Sequence, residues 1–495
     1  PTPPTPSREE PHMLRHHRNS NRTRLHSLAL ATATVAATLT AAPLLTAAPA
    51  AAAPAKYADD FNGDGYRDLA TAAPYTPVGG KTDAGAVVVN YGSANGISAT
   101  RRTVITQNTA GIPGTAEQGD EFGQALTSGD LNRDGYADLV VASTGENAEA
   151  GAVVIVWGSS SGLSGGQVVP DPATSAHDEY GMSLAVGDFS GDGKADLAVG
   201  STGSDIWIHK GGFLKASGAA SRYQLSTDLY TGAIYGSQSL AAGDVNGDGT
   251  ADLVVSGTQA ETYDDGTFVY LGSASGLTRQ AFLKNGAYEL ATVGDLNGDG
   301  YADVVASTFG DDGTTSLGGV VRAYLGSASG VRTSPQATIT QDTPGVPGSD
   351  EEGDWFGNAL SIADINRDGY ADLAVGTIHE TIGAAKIAGS VTVLRGSAAG
   401  LTATGAQSFT QNTAGVPGTA ESADRFGASV RLSDVNGDGR ADLSVGADGE
   451  NHPAGSIYNL RGAASGITTS KAISFGPGSL GLPSGYLRLG QVMLR

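Results

Sequence analysis

Asp130-Leu-Asn-Arg-Asp-Gly-Tyr-Ala-Asp-Leu139 is one of seven copies of a decamer whose reading decides the fold. The others read DFNGDGYRDL from Asp60, DFSGDGKADL from Asp188, DVNGDGTADL from Asp244, DLNGDGYADV from Asp295, DINRDGYADL from Asp364 and DVNGDGRADL from Asp434. Successive copies start 70, 58, 56, 51, 69 and 70 residues apart, so the length variation falls between the decamers, where loops belong. Self-similarity at such a period marks an array of one supersecondary unit.

The flanks define that unit. Upstream stands an aromatic-Gly pair and a short apolar stretch, as in Phe122-Gly123-Gln-Ala-Leu-Thr-Ser-Gly129. Downstream come a β-rich run such as 139–143, a second run such as Ala152-Val-Val-Ile-Val-Trp157, a Gly-Ser turn at 158–162 and a further polar-apolar stretch. These are four short strands per repeat, separated by turn residues, with no sustained helical period. Four antiparallel strands per 51–70 residues make a propeller blade, and seven blades fall within the usual range of about 4–8. The expected fold is all-β: a seven-bladed β-propeller with Asp-rich loops between strands one and two of each blade.

Each decamer aligns oxygen donors for a hard cation. Position 1 is Asp60, Asp130, Asp188, Asp244, Asp295, Asp364 and Asp434; position 3 is Asn62, Asn132, Ser190, Asn246, Asn297, Asn366 and Asn436. Position 5 is Asp64, Asp134, Asp192, Asp248, Asp299, Asp368 and Asp438; position 9 is Asp68, Asp138, Asp196, Asp252, Asp303, Asp372 and Asp442. Position 7 offers its carbonyl: Tyr66, Tyr136, Lys194, Thr250, Tyr301, Tyr370 and Arg440. Ca²⁺ takes six to eight oxygens, and Gly at position 6 permits the turn that wraps the chain around it. Up to seven Ca²⁺ are expected. An EF-hand is excluded, because position 12 is Val or Ala in copies two to seven, inside a strand, where that motif needs Glu. A metal-free Asx turn competes for one copy; seven copies with Asp at position 9 favour the ion.

Composition agrees. The chain has 495 residues, 73 Gly, no Cys and a formal charge of −22. The acidic surface argues against nucleic acid and anionic membranes. Absence of Cys excludes disulfides, thiolate zinc sites and a cysteine nucleophile. Residues 1–55 read as an upstream extension and a secretory leader. Met13 is the expected start, Arg15, Arg18, Arg22 and Arg24 form a basic region, 28–39 an apolar one, and 49–55 a small-residue cleavage region. Residues 56–495 are then the propeller, secreted, monomeric and without a membrane span.

Phe-Gly, the Asp loop and a strand ending in Ala72-Ala73-Pro74 together resemble the FG-GAP repeat. That resemblance covers residue 56 to the C-terminus. It implies the seven-bladed propeller of integrin α-subunit heads, also similar to fungal lectins and to a glycosylphosphatidylinositol-specific phospholipase D. It implies calcium at loop positions 1, 3, 5, 7 and 9. Departures are Ser190 in the third loop, Ala287-Tyr288 in place of Phe-Gly in the fifth repeat, an extra residue between Tyr235 and Asp244, and a first repeat lacking its upstream strand. The C-terminal stretch from Leu489 to Leu494 resembles the inner strand beginning Phe426-Gly427 and is expected to complete the first blade, with Asp59 and Asp60 supplying the tail.

For enzymatic function the sequence offers little. Gly158-Ser-Ser-Ser-Gly162 matches Gly-x-Ser-x-Gly, but its counterparts in the other repeats mark it as a turn. His177, His209, His379 and His452 are isolated and read as surface residues. Two function classes stand: an extracellular adhesion module for glycan or protein, and an extracellular hydrolase, esterase or phospholipase D-like. Three inter-blade segments, 106–120, 340–354 and 410–424, are near copies with a Gly-x-Pro-Gly core and acidic ends. They are expected either to pack blade to blade or to bind a polyhydroxylated or cationic ligand through Asp120, Asp354 and Asp424.

Overall fold

The computed structural model describes residues 53–232, 235–284, 289–309, 317–451 and 453–494. The leader reading over 1–52, Ala287-Tyr288, residues 311–316 and His452 lie outside the described residues.

Seven four-stranded antiparallel sheets follow one another along the chain. The second blade is typical: Ala125–Gly129 innermost, then Asp138–Ser143, Ala152–Val156 and Gly166–Val169. The second and third strands carry no polar alternation, and every residue of Asp138–Ser143 is buried. The reason is that both faces of the sheet are covered. Leu139 and Val141 enter an apolar cluster shared with the first blade, whereas Val140 and Ala142 enter one shared with the third. The period of two thus feeds two interfaces instead of separating core from solvent. Seven such clusters lie between neighbouring blades around the ring. The outer strand Arg222–Ser226, by contrast, is largely exposed apart from Leu225. Among the described residues, helix is limited to the single turns Glu146–Glu149 and Pro477–Leu480. No helix among them is long and apolar enough to cross a membrane.

The two ends of the chain close the ring. Val492–Met493 pairs antiparallel with Leu69–Ala73, Met493 opposite Thr71 and Val492 opposite Ala72. The Gly490 and Leu494 N–H groups extend the ladder to the Ala72 and Ala70 carbonyls at 3.1 and 3.0 Å. Asp59, fully buried, locks the seam: it accepts from Arg67 at 2.7 Å, Arg431 at 3.1 Å and Ser433 at 3.2 Å.

Antiparallel blades alternate their connections between two faces. The Asp loops and the Gly-Ser turns share one face and are stitched across blades. Ser159 N–H donates to the Phe61 carbonyl, Ser273 to Phe189, Ser327 to Val245, Ser397 to Leu296 and Ser93 to Val435. The opposite face is built from the connections between strands two and three and from those between blades. There Gly119, Glu121 and Phe122 donate to the carbonyls of Thr82, Asp83 and Ala84 in the preceding blade.

Candidate metal centres

Each Asp loop is held by its own first residue. In all seven, the position-5 N–H donates to one oxygen of the position-1 carboxylate and the position-6 Gly N–H to the other; for Asp130 these are Asp134 at 3.1 Å and Gly135 at 3.1 Å. The position-6 glycines have φ between +79° and +90°, the left-handed region that a Cβ resists. In six loops the position-5 N–H also donates to the Asn Oδ1 at position 3. The third loop lacks that bond, and its Ser190 Oγ is buried without a partner.

Position 9 joins the loop to the sheet. Its Oδ1 accepts from the first Gly of the blade's Gly-Ser or equivalent turn in all seven repeats, as Gly158 to Asp138 at 2.9 Å. In five repeats its Oδ2 accepts from the position-2 N–H. All seven of these carboxylates are at most 2% exposed. Burial pushes Asp68 and Asp138 up to about 8, and Asp196, Asp252, Asp303, Asp372 and Asp442 up to about 6; other carboxylates of the same loop add to the rise. In the seventh loop Arg461 reaches Asp442 at 3.0 Å, and in the sixth Arg395 stands 3.7 Å from Asp372. The third loop leaves Asp196 Oδ2 buried without a partner.

Each loop therefore carries the oxygens expected at positions 1, 3, 5 and 9 on one turn, beside a buried acidic residue. That set fits a hard divalent cation in kind and in charge. The three carboxylates of a loop do not, however, each place an oxygen within 4.8 Å of the other two; among the described residues Glu351, Asp354 and Glu380 do so instead. The backbone N–H groups hold the position-1 carboxylates in that arrangement.

Position 7 has a second role that the sequence reading missed. A Cβ at Gly63, position 4 of the first loop, would meet the Tyr136 ring of the next blade at 2.6 Å. Tyr301 covers Gly247, Tyr370 covers Gly298 and Tyr66 covers Gly437 in the same way. Pairing a position-7 aromatic with the position-4 Gly of the preceding copy would have revealed it.

Other expectations need correction. His177 and His209 are buried, not surface residues. The His177 side chain is fully buried, with Nδ1 3.3 Å from Asp205 and Nε2 3.3 Å from Asp171. The hydrogen bond and charge of Asp205 raise the His177 pKa, and the same hydrogen bond lowers that of Asp205. His209 is within 2.8 Å of the Tyr180 hydroxyl, and burial lowers it to about 4. Asp120, Asp354 and Asp424 are 2%, 4% and 3% exposed, so these three carboxylates turn inward, while Glu117, Glu351 and Glu421 of the same segments are exposed. Their cores pack blade to blade through Ile112, Val346 and Val416. The segment 158–162 is a turn followed by a strand, as its counterparts implied.

The FG-GAP repeat matches residues 58–89, 180–221, 237–271, 356–394 and 426–460, and the FG-GAP-like repeat matches 130–199. The fifth blade lies outside these spans, yet its strands form the same sheet. Among known proteins, the chain is 29% identical to Integrin alpha-V of Gallus gallus over 42% of its own length and 21% of the relative's. It is 36% identical to the Phosphatidylinositol-glycan-specific phospholipase D of Homo sapiens over 27% of its own length and 18% of the relative's. The matches thus span about a fifth of those relatives. Among solved structures, a mutant of AofleA from Arthrobotrys oligospora aligns with a TM-score of 0.40 and 12% identity, over 72% of this chain and 86% of that one.

Proposed function

We propose that this chain, an integrin-like FG-GAP repeat propeller, is a secreted binding module that recognises an extracellular glycan or protein. In this reading it works as a monomer, with residues 1–55 as leader and 56–495 as propeller, and up to seven Ca²⁺ in the Asp loops hold the ring rigid. No membrane span and no nucleic acid enter the reading.

One observation carries it. The face opposite the Asp loops bears three aromatic groups. Trp355 lies against His379 and Phe309 at 4.3 and 5.8 Å. Tyr230 meets Tyr235 and Tyr263 at 4.7 and 5.1 Å. Tyr75 and Tyr486 meet edge to face at 5.4 Å, with the Arg488 guanidinium over both rings. Tyr263, Tyr486 and Trp355 are 65%, 49% and 37% exposed, on connections of a rigid scaffold. Exposed aromatic rings with a polar tip suit the apolar faces of sugar rings and protein hot spots alike.

A glycan array probed with the purified protein tests the reading. Binding should appear and be lost on Trp355→Ala, Tyr263→Ala or Tyr486→Ala with the melting curve unchanged; variants that all bind as the parent does would remove this face from consideration. An esterase and phosphodiesterase screen run beside it addresses the runner-up, an extracellular hydrolase, which the likeness to the phospholipase keeps in view.

A further inference from the structure

We infer that the rim of blades six, seven and one, on the face opposite the Asp loops, is a seat for a carboxylate-bearing sugar: Arg425 and Arg488 take the carboxylate, and Trp355, Tyr75 and Tyr486 take the sugar rings. The inference rests on the reading of that face as a binding surface and names the class of its ligand.

The rim is built from one repeated turn. The residue before each aromatic-Gly pair, or before Leu489-Gly490 in the first blade, has a left-handed φ: Glu121 +56°, Glu179 +53°, Trp355 +62°, Arg425 +57° and Arg488 +52°. Its carbonyl accepts from the N–H three residues on, at 2.8 to 3.1 Å in all five. Glycine adopts this conformation freely and a Cβ resists it. Yet each of the five blades in which the position is described carries a long side chain there. Backbone strain kept at such a place points to use.

The five side chains are sorted by charge. Around the ring, blades six, seven and one present Trp355, Arg425 and Arg488, and blades two and three present Glu121 and Glu179. In a chain of formal charge −22, two neighbouring arginines are the exception. Their counter-ion does not use them up. Among the described residues Asp448 is the one carboxylate within ion-pair distance of either, and it serves both: an Nη1 of each stands 3.6 Å from the same Asp448 Oδ2. Burial raises the Asp448 pKa, although both arginines act against the rise. Arg425 Nε, Arg488 Nε and Asp448 Oδ1 are buried with no hydrogen-bond partner. A charge network made only for rigidity closes its hydrogen bonds; this one is left open and carries one positive charge in excess. The arginine side chains are 28% and 24% exposed, so solvent reaches both.

Aromatic rings flank the pair. Trp355 lies on His379 at 4.3 Å, and burial together with the nearby Arg425 charge lowers the His379 pKa. On the other side the Arg488 guanidinium lies 5.5 Å from the Tyr486 ring and 5.8 Å from that of Tyr75. Aromatic, cation, cation and aromatic thus follow one another across three blades. A guanidinium fork matches a carboxylate, and an aromatic ring suits the apolar face of a sugar. A polypeptide carboxylate would occupy the arginines and leave the rings bare; a uronic or sialic acid uses both. Glu121 and Glu179 oppose a polyanion lying across the whole rim, so the charge pattern fits a single carboxylate held on one side.

A glycan array containing uronic and sialic acids tests the class. Titration calorimetry with an oligogalacturonate and with sialyllactose, each beside its carboxyl-reduced form, tests the seat. The parent should bind at least one of the two acids about ten-fold more tightly than the reduced form, and added NaCl should narrow that gap. Arg425→Gln/Arg488→Gln should abolish the preference for the acid, and Trp355→Ala should weaken both forms. Equal binding of acid and reduced forms by the parent overturns the inference, even if the double variant fails to fold. So does an array on which no acidic glycan is bound; neutral glycans bound in their place leave the reading of the face standing. Polyglutamate bound as tightly as the acidic sugars overturns the sugar as ligand.

Discussion

Arg431, on the inner strand of the seventh blade, donates to Asp59 Oδ2 at 3.1 Å and so joins residues 372 positions apart. Asp59 is fully buried, and Arg67 and Ser433 share its carboxylate. The seam of the ring is thus fastened by charge as well as by the strand pairing of Val492–Met493. Asp59→Ala strips three donors of their acceptor. Removing one partner of a buried pair costs about 3–5 kcal/mol and of an exposed pair about 1 or less. The arginine side chains are 20% and 32% exposed, so a loss of roughly 2–3 kcal/mol is expected between those limits. Urea unfolding of Asp59→Ala and Asp59→Asn checks this; a loss below about 1 kcal/mol would place the seam's strength in the strands alone.

Chelation should lower the melting temperature. An ion that binds only the folded chain at 100 times its dissociation constant contributes about 2.7 kcal/mol per site. Protein freed of metal and shown to be so should melt well below the calcium-loaded protein, and added Ca²⁺ should restore it. Coincident curves would leave the Asp loops as simple turns. The third loop, with Ser190 for Asn and with Ser190 Oγ and Asp196 Oδ2 unpartnered, should fill last under limiting calcium; equal filling contradicts that order.

Gly63 has φ +67°, and the Tyr136 ring occupies the space a Cβ would need. Gly63→Ala should therefore cost about 1–2 kcal/mol from the left-handed backbone alone, and more from the displaced ring. Arg133 holds the same loop position in the second repeat with φ +58°. Arg133→Gly relieves that strain and should be neutral or stabilising by up to about 1 kcal/mol. Paired urea melts decide: a loss on Gly63→Ala no larger than the gain on Arg133→Gly would show that the stacked ring carries no weight.

The His177–Asp205 pair should make stability depend on pH. The raised His177 pKa gives a contribution that is full below the ordinary histidine value and is lost as pH rises through the folded-state value. The lowered Asp205 pKa gives one that is present above the ordinary aspartate value and is lost as pH falls through the folded-state value. The pair therefore contributes most between the two ordinary values. His177→Gln should flatten the fall in melting temperature on the alkaline side of that window. Parent and variant with parallel pH profiles would show that the imidazole does not carry the charge.

By itself the sequence determined the repeat, the four strands of each blade, the Asp-rich turn and the closing of the first blade by residues near 489–494. These follow from signals within a few residues of one another: period-two apolar runs, Gly at a left-handed position, Asp at fixed offsets. The tertiary structure alone decided what meets across a blade junction. It placed Tyr136 on Gly63, His177 beside Asp205, and Gln341 beside Glu380, pairs whose members sit on different connections, strands or blades. It also turned Asp354 inward while leaving its neighbour Trp355 exposed, with φ +62°. A backbone turn of one residue reverses which of two adjacent side chains faces solvent, and hydrophobicity patterns carry no record of such a turn outside regular strands. The spacing of 39 residues from Gln107 to Glu146, from Gln341 to Glu380 and from Gln411 to Glu450 was present in the chain all along; only folding shows that 39 residues is the path from one blade's edge to the next blade's loop and back into contact.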